Sequence, residues 1–175
     1  LIIDSFKKQN VEIGDIDKLT KNFLNEYSKC YMNKTVLFDN VLETIRKLKK
    51  LELKLILVSN KPQFYVIQLL KHFKLSSFFD SVSGGDTYPY RKPDPRHIYS
   101  TLKDAGIKSK YKGIFIGDSK YDYICAQNAD WPCLLFAKGY SDVDISTLGA
   151  RKIFNNYLNL PDLVLETFKN FNFKI

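Results

Sequence analysis

Residues 113–123 read GIFIGDSKYDY, an apolar run closed by Gly117 and followed by two carboxylates, Asp118 and Asp122. The acids stand four apart, so they share a face if Lys120–Tyr123 begins a helical turn. Two more polar groups bear on the same chemistry. Ser59 and Asn60 come straight after the apolar run LILV, and Lys92 lies in YRKPDP, a loop stiffened by Pro93 and Pro95. Proline fixes its own backbone, so Lys92 is held still while it points at a ligand. A hydroxyl and an ammonium are donors for an anionic phosphoryl group. Magnesium takes one or two carboxylates and completes its shell with water and phosphate oxygen. The pattern therefore suits phosphate chemistry, with Asp118 and Asp122 around a cation.

Each residue also has a plainer reading. Ser59 and Asn60 suit caps for a helix at Pro62, and Lys92 suits surface charge. Asp118 and Ser119 suit caps of the next helix, and Asp122 suits an acid placed by the helix dipole. Taken singly, the plainer readings win. The order of the residues and their common position at strand ends favour the chemical one.

The elements that must position them follow from periodicity. Ile16, Leu19, Phe23, Tyr27 and Tyr31 step by three and four, which predicts an amphipathic helix over 15–31. DNVLETIRKLKKL predicts a second helix, with Asn40 and Glu43 as a capping box. KLILVSN predicts a buried strand ending at Ser59, and Pro62 opens the helix QFYVIQLLKHF. FFDSVSGGD predicts a short strand and a glycine turn. DPRHIYSTLKDAG predicts a helix with Gly106 beyond its end. GIFIGD is a further strand and YDYICAQNA a further helix. CLLFAKG and RKIF are the last strands, and LPDLVLETFKNF is the closing helix. Strand and helix alternate from about residue 39 onward. That is the pattern of an α/β fold, a Rossmann-like parallel sheet covered by helices on both faces. Ligands in such sheets bind outside the carboxyl ends of the strands, where Ser59 and Asp118 fall.

Bulk composition fits one domain with a small appendage. The chain has 175 residues, with Lys+Arg 27 against Asp+Glu 19 and a net charge of +8. The basic residues are spread out, without an aromatic-basic stripe, which argues against a nucleic-acid module. Three cysteines without a C-x-x-C favour a reduced, cytoplasmic setting, and two histidines make a poor zinc site. No apolar run approaches the ~20 residues of a membrane helix.

LILVSNKP, GGDTYPYRKPDP and IFIGDSKYD resemble the second, third and fourth motifs of the haloacid dehalogenase superfamily, and most closely its phosphoglycolate-phosphatase-like branch. The resemblance runs from about Val36 to the C-terminus. It implies a magnesium-dependent phosphatase acting on a small phosphorylated metabolite. Ser59 and Asn60 then bind phosphate, and Lys92 steadies charge on the nucleophile and phosphate. Asp118 binds magnesium, and Asp122 supports the metal directly or through water. The implied organisation is a partial helical cap over residues 1–34 and an α/β core over 35–175.

One part of the family pattern has no match. The family's nucleophile and general acid sit in DxDGT at the end of the first strand. Asp4 in LIID is followed two residues on by Phe6, and Asp39 in VLFD by Val41, so neither supplies the second acid. A parallel sheet without its central strand leaves unpaired backbone and an apolar slot. The expectation is therefore a shortened reading of a larger enzyme. The alternative is a non-catalytic relative that binds phosphate or a protein partner. A receiver domain is excluded by order, because receivers place their acids before the lysine.

Overall fold

The structure is a computed structural model and describes residues 14–108 and 111–171. Asp4 lies outside the described residues. The chain divides into two compact units, Leu1–Val36 and Leu37–Ile175. The first contains helix α1 (Ile16–Cys30). Asp15 caps it, its carboxylate accepting the N–H groups of Asp17 and Lys18 at 3.0 Å each. The rings of Phe23, Tyr27 and Tyr31 line up along it at centroid spacings of 5.8 and 5.9 Å.

The second unit alternates as the periodicity predicts. Its helices are α2 (Val41–Lys50), α3 (Gln63–His72), α4 (Arg96–Asp104), α5 (Lys120–Asn128) and α6 (Leu160–Asn170). Its strands are β1 (Ile56–Val58), β2 (Ser81–Ser83), β3 (Phe115–Gly117), β4 (Cys133–Phe136) and β5 (Lys152–Phe154). All pairings are parallel, with Ile56 opposite Ser81, Phe115 opposite Cys133 and Leu134 opposite Lys152.

The single sheet of the sequence reading is found in two pieces, β1–β2 and β3–β4–β5. Among the described residues β1 and β3 do not pair with each other, so each keeps one backbone edge without a strand partner. Side chains there are wetter than in a sheet interior: Ile116 of β3 is 37% exposed, whereas Leu134 beside it on β4 is fully buried.

Three apolar clusters hold the layers. Ile98 and Leu102 of α4 pack with Phe115, Cys125 and Leu135. Leu48, Leu134, Phe136, Phe154 and Val164 join α2 and α6 to β4 and β5. Val66, Leu70 and Leu75 form the third, under β1 and β2. Cys125 and Cys133 are buried and unpaired, and burial pushes both thiols up to about 12. Among the described residues no helix is long and apolar enough to cross a membrane.

Two caps differ from the sequence reading. Asn40 precedes α2 in the left-handed region (φ 67°) and makes no side-chain cap, so the expected capping box with Glu43 does not form. Its amide instead reaches Asn156 at 3.4 Å. Pro62 stands just before α3 rather than inside its first turn.

The starts of β1 and β2 are tied by one carboxylate. Asp80 accepts from the Leu55 N–H at 2.8 Å and from Lys49 and Lys54 at 3.0 Å each. Burial pushes its carboxyl up, but the Leu55 N–H and the two ammonium groups outweigh this and bring it down to about 2. A depressed carboxyl stabilises the fold above its unfolded value of about 4 and loses that effect as pH falls through its folded value. Asp80→Asn is thus expected to cost about 1–2 kcal/mol at neutral pH. Urea denaturation followed down the pH scale checks it. The gap to wild type should close as the pH drops from about 4 toward about 2.

Candidate active site

The carboxyl ends of β1, β2 and β3 gather the residues singled out in the sequence. Beyond β1, the Ser59 N–H continues the ladder to the Ser83 carbonyl at 2.9 Å. The Ser59 hydroxyl oxygen accepts the Lys61 N–H at 3.1 Å, which leaves its own proton available to a ligand. Asn60 donates its side-chain amide to the Lys92 carbonyl at 3.0 Å and so fixes the backbone that carries the lysine. Asn128 does the same for the Pro93 carbonyl at 3.1 Å. The Lys92–Pro93 peptide is cis.

The Lys92 ammonium lies 2.7 Å from Asp122 Oδ1. Both side chains are shielded, at 12% and 5% exposure. One N–H is given to Asp122, so two remain to donate elsewhere.

Asp122 has more than this one partner. Its Oδ2 accepts the N–H groups of Asp118 and Ser119 at 3.1 Å each and the Ser119 hydroxyl at 2.7 Å. Ser119 in turn caps α5, so Ser119 and Asp122 form a reciprocal capping box. Burial pushes the Asp122 carboxyl up, yet the charge and hydrogen bond of Lys92, with help from Ser119 and Asp118, bring it below the usual range.

Asp118 stands before the α5 cap, outside the helix, so the two acids do not share a helical face. Its Oδ2 accepts the Tyr140 N–H at 2.8 Å. Its Oδ1 receives no hydrogen bond among the described residues and is open to a ligand. Gly139 leaves it room, because a Cβ there would overlap the Asp118 side chain. Its charge, after burial, also helps push the Tyr157 hydroxyl up to about 12.

Among the described residues no three His, Cys, Asp or Glu side chains converge on one point. A magnesium ion that keeps most of its shell as water and phosphate fits the single open carboxylate of Asp118. Asp122 has both oxygens engaged, Oδ1 by Lys92 and Oδ2 by Ser119 and the Asp118 N–H.

Several contributors have roles that residue type and spacing do not announce. Asp86 caps α3 from the following loop, accepting the Gln63 N–H at 2.6 Å, which is the work expected of Ser59 or Asn60. Gly84 and Gly85 sit against the backbone of Gln63 and Asn60 so closely that a Cβ on either would overlap it. Tyr140 acts through its main chain, which side-chain identity cannot announce.

Comparison with known proteins identifies relatives of this chain. A family model described as Haloacid dehalogenase-like hydrolase matches residues 2–136. The chain is 35% identical over 131 residues to a phosphoglycolate phosphatase of Pseudomonas savastanoi pv. phaseolicola, covering 73% of this chain and 48% of that protein. It is 34% identical to one from Psychrobacter arcticus, covering 87% of this chain and 66% of the relative. It thus spans about half the length of several curated relatives it matches. The crystal structure of a predicted phosphoglycolate phosphatase from Haemophilus somnus 129pt superposes with a TM-score of 0.79 at 26% identity, over 90% of this chain and 71% of that one.

Proposed function

Because this chain belongs to the haloacid dehalogenase-like hydrolase family, we propose that it serves a magnesium-dependent phosphatase acting on a small phosphorylated metabolite, with phosphoglycolate as the first substrate to try. The observation that carries the reading is the Lys92–Asp122 pair, shielded from water and placed beside Asp118 at the strand ends. A lysine held this way is a preorganised donor: it need not reorganise as charge develops on phosphate. Ser59 adds a hydroxyl donor, and Asn60 holds the Lys92 carbonyl. Asp118 offers Oδ1 to magnesium, which when bound neutralises phosphate charge. The proposed organisation keeps a helical cap segment over residues 1–34 and the α/β core over 35–175.

The family's aspartyl-phosphate route needs an aspartate facing these groups. Asp39 sits in the turn before α2, and Asp118 is held by Tyr140. The reading therefore assigns the described residues to binding and charge stabilisation, not to attack on phosphorus.

Phosphate release from phosphoglycolate and from an aryl phosphate, with and without magnesium, tests it. In a protein that joins these residues to a DxDGT segment, the expected result is release that needs magnesium, abolished by Asp118→Asn and lowered about 10²–10³-fold by Lys92→Ala. Release unchanged by Asp118→Asn in a folded variant overturns the assignment. Binding of magnesium and inorganic phosphate without release would assign the chain to phosphate binding instead.

A further inference from the structure

The segment that carries Lys92 leaves the sheet at Ser83 and returns to it as α4, at Arg96–His97. Its two ends meet inside the protein. His97 and Ser83 are both fully buried, and His97 Nε2 lies 2.9 Å from the Ser83 hydroxyl. That hydroxyl lies 2.6 Å from Thr101 Oγ1, also fully buried, and Thr101 donates to the His97 carbonyl at 2.7 Å.

The protons in this chain can be counted. Thr101 has one hydroxyl proton, and the His97 carbonyl takes it. The Ser83 hydroxyl must then donate to Thr101, so it can only accept from His97. His97 Nε2 therefore carries the proton, and the ring is a neutral donor. Its Nδ1 is left bare, and it is the one buried side-chain polar atom without a partner among the described residues.

The surroundings keep the ring neutral. Burial and the charge of Lys92 hold its pKa below the usual histidine range, against the pull of the Gly84 carbonyl and Asp94. The Tyr88 ring meets it edge-on at 5.7 Å, and the Tyr88 hydroxyl is taken by Asp104 at 2.5 Å.

We infer that His97 is a positioning residue for Lys92: by donating to Ser83 it closes the base of the loop that presents the lysine. The loop is short, its ends are in contact, and its own side chains pack it, as in a compact surface loop. Gly84 N–H donates to Thr87 Oγ1 at 2.8 Å, the rings of Tyr88 and Tyr90 stack at 5.7 Å, and Asn60 holds the Lys92 carbonyl. The clamp sets where this unit starts and ends, and thus where the ammonium lies. The inference rests on the reading of Lys92 as the phosphate-facing cation.

The test uses the whole chain and two readouts. Amide hydrogen exchange follows residues 85–92 against β4, and titration with inorganic phosphate follows Lys92. In His97→Leu the loop amides should exchange about tenfold faster while β4 is unchanged, and phosphate should bind about tenfold more weakly. His97→Gln, whose amide nitrogen can donate to Ser83, should bring both back to within about twofold. Ser83→Ala removes the same bond without a large cavity and should repeat the loosening if the leucine variant does not fold. An unchanged loop, equal acceleration in β4, or a loosened loop with undiminished phosphate binding overturns the inference. Failure of the phosphatase reading looks different: Lys92→Ala would then bind phosphate as wild type does, whatever His97 does to exchange.

Discussion

Replacing Asp122 by alanine is expected to remove about 3–5 kcal/mol of stability. Deleting one partner of a buried ion pair leaves the other charged and unsolvated, and Lys92 is 12% exposed. The same change frees the N–H groups of Asp118 and Ser119 and the Ser119 hydroxyl at the start of α5. Against a total of about 5–15 kcal/mol for a domain, the loss is severe. Urea denaturation at neutral pH measures it, and a double-mutant cycle with Lys92→Met isolates the pair. A loss under about 1 kcal/mol would mean that the pair behaves as a surface salt bridge. The acid side supplies a second check. The folded carboxyl lies below its unfolded value, so its contribution is full above pH of about 4 and fades only as pH falls through the lower folded value.

Gly117→Ala carries the next largest effect. A Cβ at Gly117 would overlap the Asp122 side chain, which four donors hold in place. Asp122 cannot turn aside without breaking those bonds, so the expected cost is about 3 kcal/mol. Gly139→Ala gives the contrast. Its Cβ would meet Asp118, whose carboxylate is held by the Tyr140 N–H alone among the described residues. Turning the carboxylate leaves the Asp118 Cβ in the way, so the backbone must yield; Gly139 lies in the bend after β4, not in a paired strand as Gly117 does, so stability should fall by only about 1 kcal/mol while magnesium affinity drops. Thermal unfolding and magnesium titration of both variants separate the two. Equal destabilisation would contradict the difference in anchoring.

Much of this arrangement was legible in the residues. Branched apolar runs such as ILV and FIG have to be buried, and the polar residue after each has to lie at a strand end. That ground singles out Ser59 and Asp118, while Lys92 stands out by the prolines that follow it. Asp122 was legible only by type. Its spacing from Asp118 suggested a shared cation, whereas the structure turns it inward to Lys92, thirty residues earlier in sequence. Periodicity reports burial and says nothing about such distant partners. The same limit hid Asp86, which caps α3 from another loop, and the Ser83–His97–Thr101 chain, whose members look like ordinary helix and strand residues. Asn40 deceived for a local reason. Its type suits a cap, but asparagine also tolerates the left-handed backbone it adopts here.

Two helices span the pieces of the sheet. Leu42 and Ile45 of α2 pack with the cluster under β1 and β2, while Leu48 of the same helix packs with Leu134 and Phe154 of β4 and β5. Helix α4 lies against β1 and β2, while Ile98 and Leu102 reach Phe115 and Leu135. Each helix works as a strut between the strand that ends at Ser59 and the strand that ends at Asp118. The spacing between the hydroxyl and the carboxylate is thus set by packing far from either, and a cavity cut at Leu48 or Ile98 would alter it without touching the site.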